Sequence, residues 1–159
     1  MATDTERFSQ LVGNIIHNCG VLEFLTIRSI QTLETDPKRA DKMLERQFRG
    51  RIDELRQLLQ AKTGLPAAKI NSLCAQLSTV ATERNKVAHN PVASDDKHGT
   101  NPRIIVVRRV SDLANGEVLT EEDLTELREL TRDTLRTFQH LAVDAGILKP
   151  ETLVEQDSY

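Results

Sequence analysis

Residues 5–22 read TERFSQLVGNIIHNCGVL, and the placing of their apolar side chains decides the fold class. Phe8, Leu11, Val12, Ile15, Ile16, Cys19 and Leu22 recur at steps of three and four, which lines one face of an α-helix. Leu25, Ile30 and Leu33 carry the stripe onward, so the pattern predicts a first helix from Thr5 to Leu33. Gly13 and Gly20 each weaken that helix by up to ~1 kcal/mol relative to Ala, unless they mark close helix crossings. Asp36-Pro37 then stops one helix and starts another, because Asp caps well and Pro suits the first helical position.

The same period continues downstream. Met43, Leu44, Phe48, Ile52, Leu55, Leu58 and Leu59 predict a second helix over 37–62. Thr63-Gly64-Leu65-Pro66 ends it and opens a third, over 67–89, with Ile70, Leu73, Cys74, Leu77, Val80, Ala81 and Val87 as its stripe. Residues 90–102, rich in Asn, Pro, Ser, Asp and Gly, read as a loop. Ile104-Ile105-Val106-Val107 is the strongest strand signal, Asn115-Gly116 a hairpin turn, and Glu117-Val118-Leu119 a short return strand. Thr120 is the expected N-cap of the last helix, whose acidic first turn suits the helix dipole and whose inner face holds Leu124, Leu127, Leu130, Leu135, Phe138 and Leu141. The expectation is an all-α chain: a bundle of four long helices with a small β-hairpin, about 103–119, between the third and fourth. Residues 1–150 read as one domain and 151–159 as a flexible tail.

Composition agrees with that class. The chain is 38% hydrophobic and 28% charged, as in an ordinary globular protein, and only 3% aromatic, so aliphatic side chains must fill the core. At 159 residues, folding should bury roughly 70% of the unfolded surface. A formal net charge of −3 argues against a wholly basic nucleic-acid-coating surface, though not against a small site for one phosphate. Cys19 and Cys74 fall at apolar helix positions, with no metal or disulfide spacing, and read as buried thiols. The acidic N-terminus is not a signal peptide, and no run approaches the ~20 apolar residues of a membrane span. The expected location is the cytoplasm, with no membrane partner.

The densest chemistry is Arg84-Asn85-Lys86-Val87-Ala88-His89, followed by Asn90-Pro91, at the predicted end of the third helix. Asn85 and His89, four apart, share a helical face, with Arg84 ~100° away around the axis. Arg offers a planar fork of donors to a phosphodiester, His moves a proton near neutral pH, and Asn orients either. Phosphodiester cleavage needs both an acid and a base, so a single Arg–His pair is thin equipment. A symmetric dimer would double it. The same residues also have a structural reading, His against the helix dipole and Arg paired with Glu83.

The stretch from Arg84 to His89 has the form R-N-x-x-x-H, and it resembles the signature of the HEPN superfamily of helical nucleotide-binding proteins. The all-helical setting and the place of the motif at the end of the third long helix are similar too. The resemblance implies a metal-independent endoribonuclease that uses the RNA 2′-hydroxyl as nucleophile and leaves a 2′,3′-cyclic phosphate. Arg84 and His89 would be the catalytic pair and Asn85 the supporting residue. It also implies a homodimer with two motifs facing a shared cleft, no cofactor, and service in toxin–antitoxin or phage-defence systems. The alternative it carries is a non-catalytic HEPN-like dimer that binds protein, nucleotide or RNA, partnered by a nucleotidyltransferase or an antitoxin. The 103–119 hairpin is a departure from the minimal family bundle and puts access to the cleft in doubt.

Lys38, Lys42, Arg46 and Arg49 step by four, four and three and predict a basic stripe on the second helix. Lys42, Arg46 and Arg49, with Arg108 beside the predicted strand, are the candidate RNA or phosphate contacts; a plain solvated face is the competing reading. Glu117 to Arg136 holds seven acidic and three basic residues, a solvated surface or a complement to a basic partner. His17, His98 and His140 stand alone without zinc-ligand spacing, so no metal site is expected.

Overall fold

The computed structural model of the chain describes residues 4–89, 92–94, 102–106 and 117–152. These are predominantly helical: α1 is Asp4–Leu33, α2 Pro37–Leu44, α3 Phe48–Lys62, α4 Ala67–Ala88 and α5 Glu121–Asp144. Three short strands, β1 Val92–Ser94, β2 Pro102–Val106 and β3 Glu117–Leu119, lie between α4 and α5 in sequence, and Pro150–Thr152 forms a final 3₁₀ turn. No helix among the described residues is long and apolar enough to cross a membrane.

The predicted second helix is corrected to two. On one continuous helix Met43 and Ile52, nine residues apart, would point in opposite directions, about 180° around the axis. Both are buried. The break at 45–47 rephases the chain so that Ala40 and Met43 of α2 and Ile52, Leu55, Leu58 and Leu59 of α3 can all be buried. Leu44 and Phe48, read as inner residues, are only half-buried. Arg51 holds the break: its Nε donates to the Leu44 carbonyl at 3.1 Å and its guanidinium reaches Glu23 at 2.7 Å. That satisfies one of the carbonyls a helix end leaves open.

The loop read over 90–102 is corrected as well. Within it β1 pairs antiparallel with β2, so the hairpin becomes a three-stranded sheet in the order β1-β2-β3. The expected pairing of the last two strands is present, with Ile104 opposite Leu119 and Ile105 opposite Val118. A third strand gives a hairpin the pairing it lacks alone. The Asn115-Gly116 turn, His98 and Arg108 lie outside the described residues.

The chain divides into two compact units, Met1–Cys19 with Val80–Arg132 and Gly20–Thr79 with Asp133–Tyr159. The first buries Phe8, Leu11, Ile15 and Cys19 of α1, Val80, Ala81 and Val87 of α4, Leu119 of β3, and Leu124 and Leu127 of α5. Asn18 Nδ2 donates to Thr131 Oγ1 at 3.2 Å, tying α1 to α5 within it. The second buries Leu22, Leu25 and Ile30 of α1, the α2–α3 face, Ile70, Leu73, Cys74 and Leu77 of α4, and Leu135, Phe138, Leu141 and Ala142 of α5. Each such large side chain contributes ~1.5–3 kcal/mol on leaving water.

The expected punctuation holds. Asp36 caps α2 by accepting from Lys38 N at 3.0 Å, with Pro37 at the first turn. Thr120 and Asp123 cap α5 reciprocally: Thr120 N donates to the Asp123 carboxylate at 2.7 Å and Asp123 N donates to Thr120 Oγ1 at 3.3 Å. Gly146, at φ 71°, ends α5, with Gly146 N bonded to Val143 O and Ile147 N to Ala142 O. Gly13 and Gly20 do not mark close crossings: a Cβ added at either meets nothing within 4 Å. Cys19 and Cys74 are buried thiols, and burial pushes Cys74 up from its ordinary pKa against the opposing pull of Arg56.

Candidate functional site

The Arg84–His89 segment sits where the sequence places it, at the C-terminal end of α4 within the first unit. The helix stops at Ala88, one residue before the expected end, so His89 stands just beyond the last turn. Val87 anchors this end, at 5% exposure, while Asn85, Ala88 and His89 are exposed and Arg84 is half-buried. Arg84 donates to Asn85 Oδ1 at 3.4 Å, a long bond between chain neighbours.

The pairing of Arg84 with Glu83 is corrected, because Glu83 is taken by Lys86 at 3.0 Å. Lys86 also reaches Glu117 of β3 at 2.8 Å and so joins the end of α4 to the sheet. The hydrogen bond to Glu117, reinforced by Glu83, raises the Lys86 pKa above its ordinary value. Sequence reasoning passed over Lys86, since the partner that gives it a role lies 31 positions away. Among the described residues no hydrogen bond joins Arg84 to His89. Among the described residues no acid engages the Arg84 guanidinium, and the His89 imidazole is exposed; a guanidinium is a donor fork for a phosphate and an imidazole a proton carrier.

Beside this end lies an open pocket of about 370 Å³ within the first unit. Leu119 of β3 and Leu124, Leu127 and Leu130 of α5 line it with aliphatic surface. Glu83 of α4, Glu117 of β3, and Asp123 and Glu126 of α5 supply its carboxylates. The Thr120 backbone N–H and hydroxyl hold the Asp123 carboxyl below its ordinary pKa, so it is ionised at neutral pH. The acidic run from Glu117 was visible in the sequence; that its acids share a pocket with glutamate from α4 was not.

The candidate phosphate contacts lie in the other unit. Lys42 is exposed on α2 and Arg49 is exposed on α3, while Arg46, in the turn between them, pairs with Glu54 at 3.1 Å. The helix break therefore corrects the single basic stripe: Lys38 and Lys42 share α2, and Arg46 and Arg49 do not continue that face. Arg108 lies outside the described residues. No group of three or more His, Cys, Asp or Glu among the described residues is placed to hold a metal ion. No protein-family model, curated protein or solved structure matches this chain.

Proposed function

We propose that the chain is a metal-independent endoribonuclease, with Arg84 and His89 catalytic and Asn85 orienting them. The observation that carries this reading is the accessibility of the motif: His89 is exposed, and Arg84 has no acidic partner among the described residues. In the reaction the RNA 2′-oxygen bonds to phosphorus as the bond from phosphorus to the 5′-oxygen breaks, leaving a 2′,3′-cyclic phosphate and a 5′-hydroxyl. A base takes the 2′-proton, an acid returns one to the leaving 5′-oxygen, and Arg84 stabilises the charge on the phosphoryl oxygens. One histidine cannot act as both in a single step, so the reading includes a homodimer in which a second copy supplies the other group. Lys42, Arg46 and Arg49 would be the RNA-backbone contacts, and a toxin–antitoxin or phage-defence system would be the setting.

The test is incubation of the purified chain with a mixed RNA pool in EDTA, beside His89→Ala and Arg84→Ala. Each substitution is expected to lower cleavage by about 100-fold or more, the usual range for removing an acid–base group or a transition-state charge stabiliser. Full activity in either variant overturns the assignment. An inactive but dimeric wild type would favour the non-catalytic module instead.

A further inference from the structure

We propose that the open pocket beside the end of α4 docks a basic amphipathic segment of a partner protein, with aliphatic side chains on the leucine floor and lysines or arginines against the acidic rim. Among the lining leucines Leu119, Leu124 and Leu127 are at most 7% exposed and belong to the packed core, so half-buried Leu130 on α5 is the aliphatic contact that an occupant meets. The acidic lining comes from three elements: Glu83 of α4, Glu117 of β3, and Asp123 and Glu126 of α5. Lys86 offsets part of this charge through Glu83 and Glu117, while Asp123 is held ionised and exposed Glu126 has no partner among the described residues. Carboxylates therefore outnumber the one ammonium, and the surplus meets the occupant.

That combination selects among occupants. The acids are not placed as a metal cluster. A nucleic-acid backbone would be repelled by the rim. An aliphatic ridge flanked by cations matches both features at once, as when an amphipathic helix lays its apolar face in a groove and its charges along the edges. The proposal does not depend on the ribonuclease reading, because affinity for the segment is measured without RNA.

The probe is a fluorescein-labelled synthetic helix of leucine and lysine, with leucines at three- and four-residue spacing, titrated with the full chain by fluorescence anisotropy. Its counterpart carries glutamate in place of lysine. Glu126→Lys and, separately, Leu130→Gln should each weaken binding by about fivefold or more, as expected for a rim charge and a floor contact. Glu45→Lys, the same charge change at an exposed residue just after α2, should alter it by less than about twofold, since Glu45 does not line the pocket. Raised salt should weaken the lysine peptide, and the glutamate peptide should not bind. Equal weakening by Glu126→Lys and Glu45→Lys, or no effect of Leu130→Gln, would show diffuse charge attraction and overturn the proposal. A change in solution mass on Glu126→Lys with peptide affinity unchanged would assign the pocket to a second copy and overturn it equally.

Discussion

The body of α4 and its C-terminal end are built on opposite terms. Ile70, Leu73, Cys74 and Leu77 are fully buried, and van der Waals packing and exclusion of water hold that stretch. The last turns rest on one buried anchor, Val87, and on the Lys86 links to Glu83 and Glu117, while Asn85 and His89 are exposed and Arg84 is half-buried. Packing is strong and indifferent to salt; a lysine bridge between partly exposed acids is weak and screened. Reactive groups can be displayed at the second kind of place because little of the fold's stability resides there.

Leu73→Ala should break the buried side of this contrast most severely. A leucine with no exposed surface, replaced by alanine, is expected to cost ~2–5 kcal/mol in urea unfolding. His89→Ala, by contrast, should stay within about 0.5 kcal/mol, as for other surface substitutions. A larger loss at His89 would mean that the motif is structural.

Arg51 tests whether the second unit depends on packing alone. Arg51→Met keeps much of the side-chain volume but removes the bonds to Leu44 O and Glu23, and should cost ~1.5–3 kcal/mol in the same assay. A negligible loss would show that apolar phase, not the polar clamp, sets the break between α2 and α3.

At the other end, Thr120→Ala removes the cap of α5 beside the pocket and should cost ~1 kcal/mol. Asp123 has a depressed pKa in the folded chain. Its contribution is therefore complete above the ordinary carboxylate range and is lost as pH falls through the depressed value. Unfolding followed into acid should show that loss in wild type and a smaller one in Asp123→Asn.

Lys86→Met should have a smaller effect than loss of the cap, ~0.2–1 kcal/mol at low salt and less as salt rises. The raised pKa of Lys86 makes its contribution complete below the ordinary lysine range and lost as alkaline pH passes the raised value. A salt-independent loss would mean that the aliphatic stem packs, not that the charges pair.

Much of this fold was legible in the chain because helices announce themselves locally. The α1 and α4 stripes, the Asp36-Pro37 start, the Thr120 cap and the stop at Gly146 each depend on residues within a few positions of one another. The break at 45–47 was hidden because the apolar spacing from Leu44 to Phe48 to Ile52 imitates an unbroken helix. The strand at Val92–Ser94 was hidden because three residues carry little pattern of their own and are defined by pairing with β2.

By itself the sequence determined the helical class, most helix ends, the β2–β3 pairing and the place of Arg84, Asn85 and His89 at the end of α4. Periodicity and capping act over one or two turns, so those features need no knowledge of the rest of the chain. Only tertiary structure decided that Lys86 reaches Glu117, that Arg51 closes the gap between α2 and α3, and that acids from α4, β3 and α5 rim one leucine pocket. Those partners are far apart in the chain, and which charge meets which is set by how the elements pack.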